Sequence, residues 1–496
     1  MRLLPSKPTL VILTLATLMK APDALPAFKN YKVLDWQSIP AVLDFTPRKR
    51  SAAPIEDEQL RMHPDKDAAS YKIFRVSDPA HALDHFFEAL YRTETRQAGA
   101  VTRIVHYGDS PTTADLITGD ARKLLQVRFG DAGHGFVLLA KPWAWYDHNG
   151  VSIQDSGWTI DPATQSKLRD GLYGLGGVSF RGDAGTHTKL TLKDSNHTTL
   201  EVSYLRQPGG GIFQVSAEGH MVATIDTKAR VVEPGYTLID IPPNSRHFEI
   251  RVASGPVRAL GVRFEKPGPG VEYDSLGLNG AFVSVLARMF NAEHWGEALR
   301  HLQPDLVIIN YGTNESGYAS FVDQSYGKEL KEVVRRIRAA LPEASILLMS
   351  PMDRGEKNSS GEIVTMEALP RLVTIESKVA AETGTAFFNT FAAMGGPGTM
   401  ARWYAAEPRL VSADFIHPTS YGAKIVGELL YKSLSDGYNE YKLRQLNHPT
   451  ADSSSAGTAE PQAQPKDQSK YVPAAPESKS VPTKAGSKPV PKNVEP

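Results

Sequence analysis

The 496-residue chain contains no cysteine, which excludes disulfides, thiolate metal centres and anchoring through a lipidated cysteine. It also lacks an excess of charge of either sign. Its 55 Lys and Arg match 55 Asp and Glu, so it has none of the strongly basic character that a nucleic-acid surface needs. Long hydrophobic runs are missing too. The nearest is Leu10 to Met19, too short to span a bilayer comfortably. That run follows Arg2 and Lys7 and precedes small-residue sites near Ala24 and Ala27, the layout of a secretory signal peptide. Residues 1–27 are therefore expected to direct export to the periplasm or the extracellular space, with no membrane span left after cleavage. A chain of this length can bury a large core without disulfides, so the missing cysteines do not oppose export.

What is present changes character along the chain. Residues 28–75, with Arg48-Lys49-Arg50 and several prolines, read as an irregular lead-in. Ala80 to Arg96 has helical periodicity, with Leu83, Phe86, Phe87, Leu90 and Tyr91 on one face. Thr102 to Tyr107 is an apolar strand pattern that runs into Gly108-Asp109-Ser110, and a helix pattern follows that closes at Gly130. From about Trp143 to Glu265 short alternating runs are separated by Gly, Pro, Asn and Asp, as in an all-β sandwich. Strand and helix patterns then alternate again: Leu306 to Ile309, Tyr326 to Leu341, Ile346 to Met349, Leu372 to Thr383, Ala386 to Phe388, and Ser420 to Leu434. Such alternation implies a parallel sheet with helices on both faces. The expected organisation is an α/β domain over 76–145 and 267–436, interrupted by a β-sandwich over 146–266. Residues 437–496 are expected to form a disordered tail rich in Pro, Ala, Ser and Lys.

Three distant segments carry the chemistry. Ser110 lies where a strand meets a helix, which would expose its hydroxyl at the carboxyl edge of the sheet. Pro111 suits the first helical position. Asp109 or Ser110 could instead simply cap that helix. A serine hydroxyl needs a base to become a nucleophile, and Asp414-Phe415-Ile416-His417-Pro418 supplies one with a carboxylate three residues before it. Asn314, in Gly312-Thr313-Asn314-Glu315 after an apolar strand, can bring an amide to the same sheet edge. Gly277 and Gly280, in Gly277-Leu278-Asn279-Gly280-Ala281, are two candidates for a backbone oxyanion donor. His106 and His134 have no comparable context, and no His or carboxylate spacing points to a metal.

These segments resemble the SGNH (GDSL-type) serine hydrolases, whose conserved blocks are Gly-Asp-Ser, a glycine turn, Gly-Thr-Asn-Glu/Asp and Asp-x-x-His. The resemblance implies a flavodoxin-like three-layer α/β/α fold and the triad Ser110, His417 and Asp414. The implied oxyanion hole is Ser110, Asn314 and Gly280, since the family's glycine closes its turn segment. No cofactor or metal is implied. Pro111 departs from the leucine or histidine more usual after the serine. The sandwich inserted after the first block is similar to the arrangement in bacterial peptidoglycan O-acetylesterases. The expected activity is removal of O-acetyl groups from an exported polysaccharide, peptidoglycan foremost. A polysaccharide O-acetyltransferase with the same triad is one alternative. A glycan-binding envelope protein with an inactive hydrolase domain is another. Trp143, Trp145 and Trp158 could stack on sugars or serve as packing.

Overall fold

A parallel strand covered by helices on both faces must be apolar throughout, not alternately. Two segments come close to it, β14 (Leu306–Asn310) and β15 (Ser345–Met349), which are buried at every residue and polar only at Asn310 and Ser345. In the computed structural model, which describes residues 74–447, they lie within a five-stranded sheet. Its order is β13 (Gly270–Gly277), β1 (Val101–Gly108), β14, β15 and β18 (Ala386–Phe388), all parallel. The expected signal peptide, nearly all of the lead-in, and everything after Asn447 lie outside the described residues.

The strand residues divide between two cores. Val105, Tyr107, Val307, Ile309, Ile346 and Leu348 face one layer, built from α4 (Ala292–Leu302), α5 (Gly327–Ala340) and α6 (Leu369–Thr383). Ile104, Leu306, Ile308, Leu347 and Met349 face the other, built from α1 (Asp84–Glu94), α3 (Ile117–Phe129) and α7 (Ser420–Asn447). This is the expected three-layer α/β/α domain.

Two sequence expectations are corrected here. Tyr91 is exposed, so the buried face of α1 is narrower than its periodicity suggested. The last helix does not stop at Leu434, and no tail begins at 437. It continues to Asn447 because Tyr438 and Tyr441 pack on Phe87, with ring centroids 6.1 and 5.9 Å away. Two aromatics three residues apart hold this helical end against the core, while its Leu443 and Leu446 stay exposed.

The insert is an antiparallel sandwich. One sheet runs β10 (Glu233–Asp240), β7 (Thr199–Arg206), β12 (Val257–Glu265), β5 (Val178–Gly182), β4 (Thr159–Pro162), with β2 (Gly133–Val137) also paired to β12. The other runs β3 (Val151–Ser156), β6 (His187–Leu192), β11 (His247–Ser254), β8 (Ile212–Ala217), β9 (His220–Asp226). Alternate residues such as Leu190, Leu192, Phe213, Val215, Phe248 and Ile250 fill the space between the sheets. A short hairpin, β16 (Gly355–Lys357) and β17 (Ile363–Thr365), completes the strands among the described residues.

Because β2 is bonded to β12, the chain enters the sandwich well before residue 146. A buried charge cluster ties the sandwich to the parallel sheet. Arg263 of β12 pairs with Glu272 and, at 2.9 Å, with Asp274 of β13, and Asp274 also accepts the N–H of Phe136 at 2.8 Å. Buried charges are tolerated only as a fully paired set. Of the three tryptophans, Trp143 is buried, Trp158 donates to Thr188 at 2.8 Å, and only Trp145 is well exposed.

Candidate active site

The register of the parallel sheet places Gly108 opposite both Gly277 and Asn310. The loops leaving these strands therefore start at one level of the carboxyl edge, where open α/β sheets bind their ligands. After Gly108 the chain turns straight into α2 (Ser110–Thr113), with Pro111 in its first turn. Neither Asp109 nor Ser110 makes a side-chain cap there. Gly277 is needed for close packing against this turn. An added Cβ would lie 2.3 Å from the backbone nitrogen of Thr113.

Ser110 is buried, and its hydroxyl donates to His417 Nε2 at 2.8 Å. His417 Nδ1 donates to Asp414 Oδ2 at 2.7 Å. Because a carboxylate only accepts, this bond keeps a proton on Nδ1 and leaves the Nε2 lone pair facing the serine. The turn that carries both residues is set locally. Asp414 Oδ1 accepts the N–H groups of Ile416 (2.9 Å) and His417 (3.0 Å). Phe415 between them adopts φ +60°, a left-handed conformation costly for a bulky residue and found at functional sites. The hairpin supports this strain, since Gly355 N–H donates to Phe415 O at 2.9 Å. Partial burial opposes ionisation of Asp414, but the bonds from the His417 ring and the two N–H groups outweigh it and hold its carboxyl below the usual range. The histidine and aspartate side chains are 42% and 46% exposed, so the pair is open to solvent.

The asparagine loop lies beside the serine turn. Asp109 faces Thr313, and one Asn314 N–H donates to Ala281 O at 2.9 Å, while the other has no acceptor among the described residues. Asn314 is thereby placed next to Gly280, which adopts φ +67°. Among the described residues the Gly280 N–H has no protein acceptor. A third carboxylate joins these loops. Glu315, fully buried, accepts Val283 N–H (2.6 Å) on one oxygen and Gly312 N–H (3.1 Å) on the other. Burial pushes Glu315 up to about 8 against the pull of those bonds, and it pushes Asp109 up to about 7. The motif suggested Glu315 only as a flanking acid. That it holds two loops together depends on the position of Val283, which no local pattern encodes.

His106 takes no part in these bonds. It is buried, bonded to Tyr273 Oη at 2.7 Å, and held neutral by burial, which lowers it to about 4. Among the described residues no helix is long and apolar enough to cross a membrane. One exposed feature went unread in the sequence. Tyr318 is 61% exposed, and its ring lies 5.5 Å from that of Phe282. These two residues follow the Asn314 and Gly280 loops, so an aromatic surface adjoins those loops.

No curated protein matches the chain. A structure described as a peptidoglycan O-acetylesterase is 24% identical, with a TM-score of 0.63 over 74% of this chain and 99% of its own. A family two carbohydrate esterase from Clostridium thermocellum is 12% identical, with a TM-score of 0.25 over 59% and 99%. A salicylyl-acyltransferase from a tetracycline biosynthetic pathway is 13% identical, with a TM-score of 0.28 over 61% and 96%. The first of these shares the fold of this chain. Residues 251–425 match the GDSL-like Lipase/Acylhydrolase family. That match falls on the stretch that carries Gly280, Asn314, Asp414 and His417, within the fold shared with the first of these structures.

Proposed function

We propose that the protein removes O-acetyl groups from an exported polysaccharide, peptidoglycan foremost, through an acyl-serine intermediate. The observation that carries this reading is the continuous hydrogen-bond chain from Ser110 through His417 to Asp414. Ser110 Oγ attacks the ester carbonyl carbon as its proton passes to His417 Nε2. Asp414 keeps the ring oriented and offsets its positive charge. The tetrahedral oxyanion is received by the N–H groups of Ser110 and Gly280 and by the second Asn314 N–H, each such donor contributing about 3 kcal/mol. His417 then returns its proton to the departing sugar oxygen. Water, deprotonated by the same nitrogen, releases the acid and restores the serine.

The polymeric, acetylated substrate is supported by the shared fold with a peptidoglycan O-acetylesterase and by the exposed aromatic surface that adjoins the Asn314 and Gly280 loops. Acetate release from O-acetylated peptidoglycan, compared with chemically de-acetylated peptidoglycan, tests it. Release from the acetylated polymer alone is expected. No release, together with full activity on a small acetyl ester, would overturn the polymer and leave the esterase. Rings such as those of Tyr318 and Phe282 present flat apolar faces on which a sugar can stack. Tyr318→Ala is accordingly expected to raise KM on the polymer roughly five- to tenfold, about 1–1.4 kcal/mol. Hydrolysis of p-nitrophenyl acetate, which is too small to span the surface, should change less than about twofold.

A further inference from the structure

A second constellation lies in the sandwich, formed by residues the hydrolase site does not use. His134 is on β2, and Asp194 and His197 are in the turn between β6 and β7. One donor atom from each comes within 4.8 Å of the other two. His134 Nε2 meets Asp194 Oδ1 at 2.7 Å, and His197 Nδ1 lies 4.0 Å from that same oxygen. The two imidazole rings stack at 4.7 Å.

We propose that His134, Asp194 and His197 form a binding site for a divalent transition ion of the zinc type, which clamps the β6–β7 turn to β2. Two imidazole nitrogens and one carboxylate oxygen are a donor set suited to zinc, with a fourth position for water. Tetrahedral bonds of about 2.0–2.2 Å put donors roughly 3.3–3.5 Å apart. The observed 2.7 and 4.0 Å separations fall on either side of that range, so an ion fits after small side-chain shifts.

The independent sign of a ligand is His197. It is 1% exposed, and neither ring nitrogen has a hydrogen-bond partner among the described residues. A buried polar ring without partners is rare in folded proteins, and ligation would satisfy Nδ1. The surroundings are arranged around these groups. Lys266 holds the other Asp194 oxygen at 2.5 Å, and Asp131 offsets the lysine's charge at 2.6 Å, so Oδ1 stays directed at the imidazoles. Gly150 leaves room for the His134 ring, since an added Cβ would lie 2.4 Å from it.

The experiment uses the full-length, untagged protein, stripped with a chelator and titrated with zinc chloride by calorimetry, with thermal unfolding measured in parallel. One equivalent is expected to bind with a Kd of roughly 10 μM or tighter, and to raise Tm by several degrees at a hundredfold excess over Kd. Cobalt at the same site should give visible absorption bands of a four-coordinate ion. Asp194→Asn, which preserves shape, and His197→Ala are each expected to weaken zinc binding at least 100-fold, with folding checked by circular dichroism. His220→Gln, at an exposed strand position, serves as the surface control. No stoichiometric binding by the wild type would overturn the proposal. So would binding unchanged in a folded Asp194→Asn variant, or binding lost in His220→Gln.

Discussion

Replacing Ser110 by alanine is expected to lower kcat/KM for a small acetyl ester by at least about 10⁴-fold while leaving Tm within about a degree of the parent. The activity loss follows because, among the described residues, no other hydroxyl is bonded to His417 Nε2. Stability should hold because the truncation removes one oxygen whose partner is a side chain 42% exposed, to which water has access. Asp414→Asn should cost less, roughly 10²–10⁴-fold. It reverses the preferred tautomer of His417, but water can still reach the half-exposed pair. Combining Ser110→Ala with His417→Ala should add little further loss, because the two residues act as one unit. Single-turnover kinetics on p-nitrophenyl acetate measure all three variants. A Ser110→Ala enzyme that kept more than about a tenth of the activity would remove serine as the nucleophile.

Glu315→Gln should have the next largest effect, acting on the oxyanion donors instead of the nucleophile. Each carboxyl oxygen of Glu315 accepts a backbone N–H, one from Val283 and one from Gly312. Glutamine offers a single oxygen, so its amide NH₂ must face one of those donors. An unsatisfied buried N–H costs about 1–3 kcal/mol. The loops carrying Asn314 and Gly280 would also lose their tie. A fall in kcat of about 10²–10³-fold with little change in KM is expected, comparable to removing one oxyanion donor. Glu315→Asp, which keeps both oxygens on a shorter arm, should recover part of the rate.

The same carboxyl gives stability a pH dependence of definite sign. Burial raises Glu315 from 4.5 to about 8 and Asp109 from 3.8 to about 7. The folded chain therefore holds protons that the unfolded chain releases at lower pH. Stability from these groups is fully present below their unfolded values and is lost as pH rises through about 7 and 8. The buried His106, His148 and His294 act oppositely, because burial lowers them to about 3–4, but their contribution is complete above their ordinary value of 6.5. Between pH 7 and pH 9 the carboxyls should dominate. Tm is expected to fall over that interval, and to fall less in Glu315→Gln.

Much of this site could be read from the sequence because its geometry closes over short stretches of chain. Asp414 reaches His417 within one turn in which every bond made by the Asp414 carboxylate is local, so the spacing of two residues encodes their contact. Gly108-Asp109-Ser110 is likewise a strand end and a helix start, and apolar runs announce the strands on either side. The choice between Gly277 and Gly280 needed the fold. Only the register between β1 and β13 shows that Gly277 is packed against Thr113, whereas Gly280 stands free beside Asn314.

The pair Asp194 and His197 shows the limit most directly. It repeats the spacing of Asp414 and His417, yet its neighbour is another histidine, not a serine. Which group completes each pair is decided by strands distant in the chain. The same is true of Glu315 and Val283, of Tyr318 and Phe282, and of the Tyr438 contact that carries α7 to Asn447. The sequence by itself determined the layered fold and the three candidate blocks of the site, because periodicity and short hydrogen-bonded turns are local properties. Only the tertiary structure decided what links and flanks those blocks, because sheet register sets which distant side chains meet, and no single segment contains that information.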